Sequence, residues 1–178
     1  METLPIIRPF VAADASAVRS LFIRVNQHLA PDHMAKAFDN YVEQSLAEEI
    51  DQIATYYRNK DGSFFVAELS AQIVGMFGLE SIGSDAMELR RMYVDPSVRG
   101  RGIGRLLLAH AEEQTRRSGK TRLVLSTSEL QTAALSLYRS SGYAQLREEL
   151  VTTQSNKTLG AGLRRFYFEK HLGRRCSE

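Results

Sequence analysis

The sequence contains no tryptophan and a single cysteine, Cys176, which sits in a polar end beside Arg174 and Arg175. One thiol cannot form a disulfide within its own chain, so stability must come from a packed core, and a reducing compartment is expected. No stretch approaches the ~20 consecutive apolar residues that a membrane span needs, and the start, METLPIIRPF, lacks a basic segment followed by a long apolar one. Those absences point to a cytoplasmic protein with no membrane partner. The four histidines, His28, His33, His110 and His171, are scattered without the close pairings of metal sites, so no metal is expected. Excess charge is nearly missing as well. The 23 lysines and arginines against 21 aspartates and glutamates leave +2, too little to argue for nucleic acid, although the arginines are locally clustered. What remains is a chain of 178 residues, 43% hydrophobic and 25% charged, the size and composition of one globular domain with its own core. The expected division is a domain over residues 1–173 and a polar tail over residues 174–178.

Hydrophobic periodicity organises the chain. IIRPF reads as a strand, and AADASAVRSLFIRVNQHL as a helix capped by Asp14, with Val18, Leu21, Phe22 and Val25 at helical spacing. A helical pattern continues from Phe38 to Tyr57 and is stopped by RNKDGS. SFFVAELSAQIVGMFGLE reads as a hairpin turning near Ser70 to Gln72, followed by a third strand, AMELRRMYV. Ile103 to Arg117 is a helix ended by Gly119, TRLVLSTS a strand that can lie parallel to the third, QTAALSLYRSSG a helix stopped by Gly142, and RRFYFEKHL a closing strand. Between the last two, TTQSNKTLGAG reads as a flexible loop.

The densest signal is VDPSVRGRGIGRLLL, Val94 to Leu108, where three glycines and three arginines stand at a strand-to-helix junction. The first N–H groups of a helix have no partner within it, and the helix dipole adds positive charge there, so the position suits an anion. Gly100, Gly102 and Gly104 allow an oxyanion close to the backbone, while Arg99, Arg101 and Arg105 supply charge-assisted hydrogen bonds. The stretch reads as a pyrophosphate cradle. A dinucleotide-binding G-x-G-x-x-G fails in both registers, because Arg105 and Leu107 occupy the third glycine position. SGKT, Ser118 to Thr121, resembles the end of a P-loop but lacks the earlier glycine, with Gln114 in its place, and closes a helix instead of opening one.

RGRGIG resembles the R/Q-x-x-G-x-G/A acyl-CoA signature of the GCN5-related N-acetyltransferases (GNAT), with Arg99, Gly102 and Gly104 at its fixed positions. ELRRMYVDPSVRGRGIGRLLL is similar to the family's fourth strand and third helix, and AALSLYRSSGY to its A-x-x-L-Y-x-x-x-G-F/Y helix. The resemblance implies an α/β (α+β) fold: a mixed, mostly antiparallel sheet, splayed between the fourth and fifth strands and flanked by about four helices. It further implies that main-chain groups of Met92, Tyr93 and Val94 meet the pantetheine arm and thioester carbonyl of acetyl-CoA. The segment Gly100, Arg101, Gly102, Ile103, Gly104 and Arg105 would then hold the pyrophosphate. Gln131 stands where many members have a cofactor-contacting asparagine.

The activity so implied is transfer of an acetyl group from acetyl-CoA to a primary amine of a small molecule, amino acid, peptide or protein, by direct attack in a ternary complex. With a pKa of about 10.4, only roughly one aliphatic amine in a thousand is neutral at pH 7, so a base is useful. Glu88 matches the position of the family's catalytic glutamate, with Glu80 as competitor; the other reading of either is a strand end or a structural ion pair with Arg90 or Arg91. Tyr138 matches the tyrosine that faces the thioester sulfur and is the expected acid for the leaving thiolate; otherwise it is a packing tyrosine. A non-catalytic acyl-CoA-binding module would need the cradle but neither Glu88 nor Tyr138. The acceptor pocket is expected from residues 26–57 and the loop 152–162, where Glu43, Glu48, Glu49 and Asp51 form an acidic face suited to a cation or simply to solvent. A homodimer is compatible with all of this.

Overall fold

A computed structural model describes residues 4–173, so the expected polar tail, Cys176 included, lies outside the described residues. In chain order the elements are β1 (Ile6–Pro9), α1 (Ala15–Leu29), α2 (Ala35–Glu48), α3 (Ile53–Arg58), β2 (Ser63–Leu69), β3 (Gln72–Ile82), β4 (Ala86–Val94), α4 (Ile103–Arg117), β5 (Arg122–Ser128), α5 (Thr132–Ser140), β6 (Ala144–Val151) and β7 (Leu163–His171). The strands form one sheet in the order β1-β2-β3-β4-β5-β7-β6, antiparallel except for the β4–β5 pair. That is the mixed, mostly antiparallel sheet that the family resemblance implies.

Both faces of the central strands are buried, which is why SFFVAEL reads as an unbroken apolar run. Phe65, Ala67 and Leu69 of β2 join Phe77 and Leu79 of β3, Leu107 and Ala111 of α4, and Phe168 of β7 on one face. Phe64 and Val66 turn to the other face, where Val18, Leu21, Phe22 and Val25 of α1 pack with Ile53, Tyr57 and Met76. Each fully buried side chain of this size contributes roughly 1.5–3 kcal/mol. The β2–β3 turn places Ser70 and Ala71 at φ 50° and 63°, the type I′ pattern whose twist suits a tight hairpin. No helix among the described residues is long and apolar enough to cross a membrane.

The sheet opens between β4 and β5. Their pairing covers only Ala86 to Glu88 against Arg122 to Val124. Beyond Glu88, β4 stays with β3 as far as Val94 while β5 follows β7 as far as Ser128. A bulge bends β4 at this point: Arg91 and Met92 together oppose Phe77, and Arg91 has φ 53°, an uncommon conformation for a residue with a side chain. Such a residue costs of order 1–3 kcal/mol and persists only where its surroundings hold it. Arg91 donates to Glu49 Oε2 at 2.7 Å, to the Tyr41 hydroxyl at 2.6 Å and to the Asn156 carbonyl, and its guanidinium lies over the Phe22 ring.

Four features differ from the sequence reading. The helix from Phe38 to Tyr57 is broken at Glu49 (φ −140°, ψ −60°), which turns inward, fully buried, and binds Arg90 at 2.5 Å, Arg91 and the Tyr57 hydroxyl at 2.6 Å. It therefore does not belong to an acidic solvent face. Asp14 does not cap α1 with its side chain; its carboxylate accepts from the Val11 N–H and from Arg8, closing the short turn before the helix. β6 shows no alternation in the sequence, because its residues are exposed on both faces as far as Leu150. The loop 152–162 is anchored: Gln154 donates to Gln44 at 3.0 Å, Asn156 accepts from Arg91, and Lys157 reaches Glu88.

Candidate active site

The cradle forms where β4 leads into α4. Asp95 accepts from the backbone and hydroxyl of Ser97, at 2.9 and 2.7 Å, and pairs with Arg24, which fixes the turn after β4. Burial works against the charge of Asp95, but these donors hold its carboxyl below the ordinary range. Gly102 then takes φ 75° as the N-cap of α4, and a Cβ built there would meet nothing within 4 Å. Neither Gly102 nor Gly100, at φ 81°, is filled by neighbouring protein, so both leave backbone open to a ligand. Gly104 differs: a Cβ there would lie 3.3 Å from the Leu137 side chain, so it sets the approach of α4 to α5. The hydrogen-bond ladder of α4 begins with Arg105 and Leu106 donating to the Gly102 carbonyl, leaving the N–H groups of Ile103 and Gly104 without a helical partner. No ion pair among the described residues engages Arg99, Arg101 or Arg105.

These groups open onto a cleft of about 310 Å3 running from the cradle into the splay. Met92, Tyr93, Val94, Arg99, Gly100, Gly102, Ile103, Gly104, Arg105 and Gln131 line it, between Val98 on one side and Ala134 and Leu137 of α5 on the other. Of the residues expected at the cofactor, Arg101 alone is not in the lining. The Asp95 N–H donates to the Val74 carbonyl on β3, so antiparallel alternation turns the backbone N–H and C=O of Val94 to the open edge of β4. Gln131 accepts from the Thr127 hydroxyl and stands at the start of α5.

A second, smaller pocket of about 70 Å3 lies on the other side of Met92, Tyr93 and Gln131, which line both. It is polar, and Glu88, Tyr138, Tyr41, Asn156, Lys157 and Arg165 contribute to it. Glu88 does not pair with Arg90 or Arg91; its Oε2 accepts from Lys157 Nζ at 2.8 Å. Glu80, directly across the ladder from Glu88, is buried and engaged by the Tyr56 hydroxyl at 2.5 Å, Arg90 at 3.1 Å and Lys157 at 3.6 Å. Of the two glutamates only Glu88 lines the pocket. The Tyr138 ring packs on Tyr143 and Phe168. Burial pushes its phenol up, against the opposing charge of Arg165, so the hydroxyl stays protonated at neutral pH. Lys157, Arg165 and Glu49 had no motif to mark them: the first lies in a polar loop, the second in an alternating strand and the third in a helical run of acids.

Fold, bulge and glycine turn narrow the comparison with known proteins. The model of the acetyltransferase (GNAT) family matches residues 24–143. The chain belongs to that family. Among GNAT relatives, N-acetyltransferase family 8 member 2 of Rattus norvegicus is 34% identical over 109 residues, 58% of this chain and 48% of the relative. N-acetylaspartate synthetase of Danio rerio is 35% identical over 115 residues, 64% of this chain and 41% of the relative. The chain thus spans about half the length of these curated relatives. Among solved structures, the PaiA N-acetyltransferase of Thermoplasma acidophilum, in complex with coenzyme A, superposes with a TM-score of 0.72 at 18% identity, covering 95% of this chain and 99% of that one. Its likeness establishes the GNAT fold.

Proposed function

We propose that residues 1–173 act as an acetyl-CoA-dependent N-acetyltransferase, moving an acetyl group to a primary amine by direct attack in a ternary complex. The observation that carries this is the meeting of the two pockets at the splay: an anion cradle with an apolar-walled cleft on one side, and a polar pocket holding a carboxylate and a phenol on the other. Open backbone at Gly100 and Gly102 and the unpaired arginines beside them fit a pyrophosphate, and Val98, Ala134 and Leu137 fit the arm that follows. Val94 offers backbone groups to that arm.

In the reaction the amine nitrogen attacks the thioester carbonyl carbon, the N–C bond forms and the C–S bond breaks. Glu88 takes a proton from the amine, and Tyr138 gives one to the departing thiolate, so the products are an amide and free CoA. Glu80 is saturated by its three partners and serves to hold Arg90 and Lys157. An acceptor screen that follows free-thiol release tests the reading: acetyl-CoA consumption should rise with at least one amine. Binding of acetyl-CoA with no amine consumed anywhere in a broad panel would favour the non-catalytic module instead.

Gly102→Val tests the cradle separately. A branched side chain at φ 75° is strained by about 1–2 kcal/mol, but its Cβ meets no protein atom within 4 Å, so the fold should survive. Acetyl-CoA affinity should fall tenfold or more, because the new methyls fill the approach to the helix N-terminus. Calorimetric titration beside a thermal melt reads both effects, and unchanged affinity in a folded variant would remove the cradle.

A further inference from the structure

We infer that the polar pocket is built for an amine that carries its own carboxylate, a free amino acid, with Arg165 binding the carboxylate while Glu88 receives the amine. The inference deepens the N-acetyltransferase reading above and rests on it.

Glu49, Glu80 and Glu88 face Arg90, Arg91, Lys157 and Arg165 in and behind this pocket, three carboxylates against four cations. The ion pairs allocate the first three cations: Arg90 to Glu49 and Glu80, Arg91 to Glu49, Lys157 to Glu88 and Glu80. Arg165 is left over. It is part-buried, and its guanidinium is steered by Ser126 alone, with Nε donating to the hydroxyl at 2.9 Å and Nη2 to the carbonyl at 3.4 Å. No carboxylate among the described residues pairs with it. A partly desolvated guanidinium aimed by neutral acceptors beside a polar pocket is a ready site for a carboxylate, which it can bind through two parallel hydrogen bonds.

Two neighbouring arginines point the same way without Arg165. Arg90 Nη1 and Arg91 Nε are buried donors without a hydrogen-bond acceptor, on side chains only 5% and 3% exposed, and both residues line the same pocket. Buried donors left unpaired are costly and rare in native proteins, so the cationic wall behind the pocket holds more donors than the protein itself satisfies. A carboxylate supplies acceptors only.

Lys157 completes the picture. Its ammonium occupies Glu88 at 2.8 Å and stands where the amine of an acceptor would sit. A zwitterion can replace it at Glu88, since the acceptor's ammonium takes Glu88 and its carboxylate goes to Arg165, while Lys157 keeps Glu80, 3.6 Å away. Asn156 and Lys157 line the pocket on a loop pinned to Arg91 through the Asn156 carbonyl, which favours a small molecule over a lysine presented on another protein's surface.

The test uses the CoA-saturated protein and a panel of the common L-amino acids, each paired with its carboxamide, read by thermal melting. One or more free acids should raise the melting temperature above that of the CoA complex while the matching carboxamides do not. In Arg165→Gln that extra rise should disappear with the shift produced by CoA itself intact, and Arg165→Lys should restore part of it. Equal stabilisation by acids and carboxamides, or by none of the panel, overturns the inference while leaving the acyl-CoA site standing. Absence of any shift with CoA itself overturns the N-acetyltransferase reading, and the inference falls with it.

Discussion

Glu49→Gln is expected to destabilise the fold by about 3–5 kcal/mol, the cost of removing one partner from a buried ion cluster. For a chain of this size that corresponds to a fall in melting temperature of roughly 6–20 °C. The carboxylate is fully buried and holds Arg90, Arg91 and the Tyr57 hydroxyl together. Glutamine keeps the shape but not the charge, leaving two guanidinium groups facing one neutral amide. Burial alone would raise the Glu49 pKa, yet the charge and hydrogen bond of Arg91, the charge of Arg90 and the Tyr57 hydroxyl overcome it and hold the carboxyl below its ordinary value. A group whose folded pKa is depressed contributes stability above its unfolded pKa, about 4.3 for glutamate, and loses that contribution as pH falls through the folded value. Wild type should therefore lose more stability than Glu49→Gln on acidification below about pH 4.3. Thermal melts of both proteins across pH read this directly. Equal melting temperatures at pH 7 would mean that the cluster is not what holds the bulge at Arg91.

The largest kinetic effect is expected at Tyr138. If its hydroxyl gives the proton to the departing thiolate, Tyr138→Phe should lower kcat by about a hundredfold or more while acetyl-CoA affinity stays within a few-fold, since the ring still packs on Tyr143 and Phe168. Glu88→Gln should behave differently. Its loss should be greatest at low pH and partly relieved as rising pH deprotonates the acceptor without help, a dependence that Tyr138→Phe should not share. Wild-type turnover in Tyr138→Phe, measured where chemistry and not product release limits the rate, would reduce Tyr138 to a core aromatic.

The glycine cradle of this protein was legible in the sequence because its chemistry is local. Backbone N–H groups, glycines and arginines lie within a few residues of one another at a strand-to-helix junction, so the letters and the geometry coincide, and Gly102 at φ 75° stands where the spacing put it. Gly104 shows the limit even there, since its lack of a side chain answers Leu137 on another helix, a partner that local spacing cannot reveal. The polar pocket was not legible. It joins Tyr41 from α2, Glu88 from β4, Lys157 from a loop and Arg165 from β7, and only the tertiary fold brings them together. Glu49 is the clearest case: in a run of acids at helical spacing it looks solvated, and what turns it inward is a pair of arginines about forty residues away.

The glycine turn at the head of α4 and the splay beside it are proposed to form an acyl-CoA site. Calorimetric titration of the purified chain with acetyl-CoA and, in parallel, with acetyl-pantetheine, which lacks the pyrophosphate and nucleotide, tests it most directly. The account predicts one acetyl-CoA bound per chain, and acetyl-pantetheine bound tenfold or more weakly because the cradle has nothing to hold. No heat from about 1 mM acetyl-CoA with folded, ligand-free protein, or equal affinity for the two ligands, would contradict it.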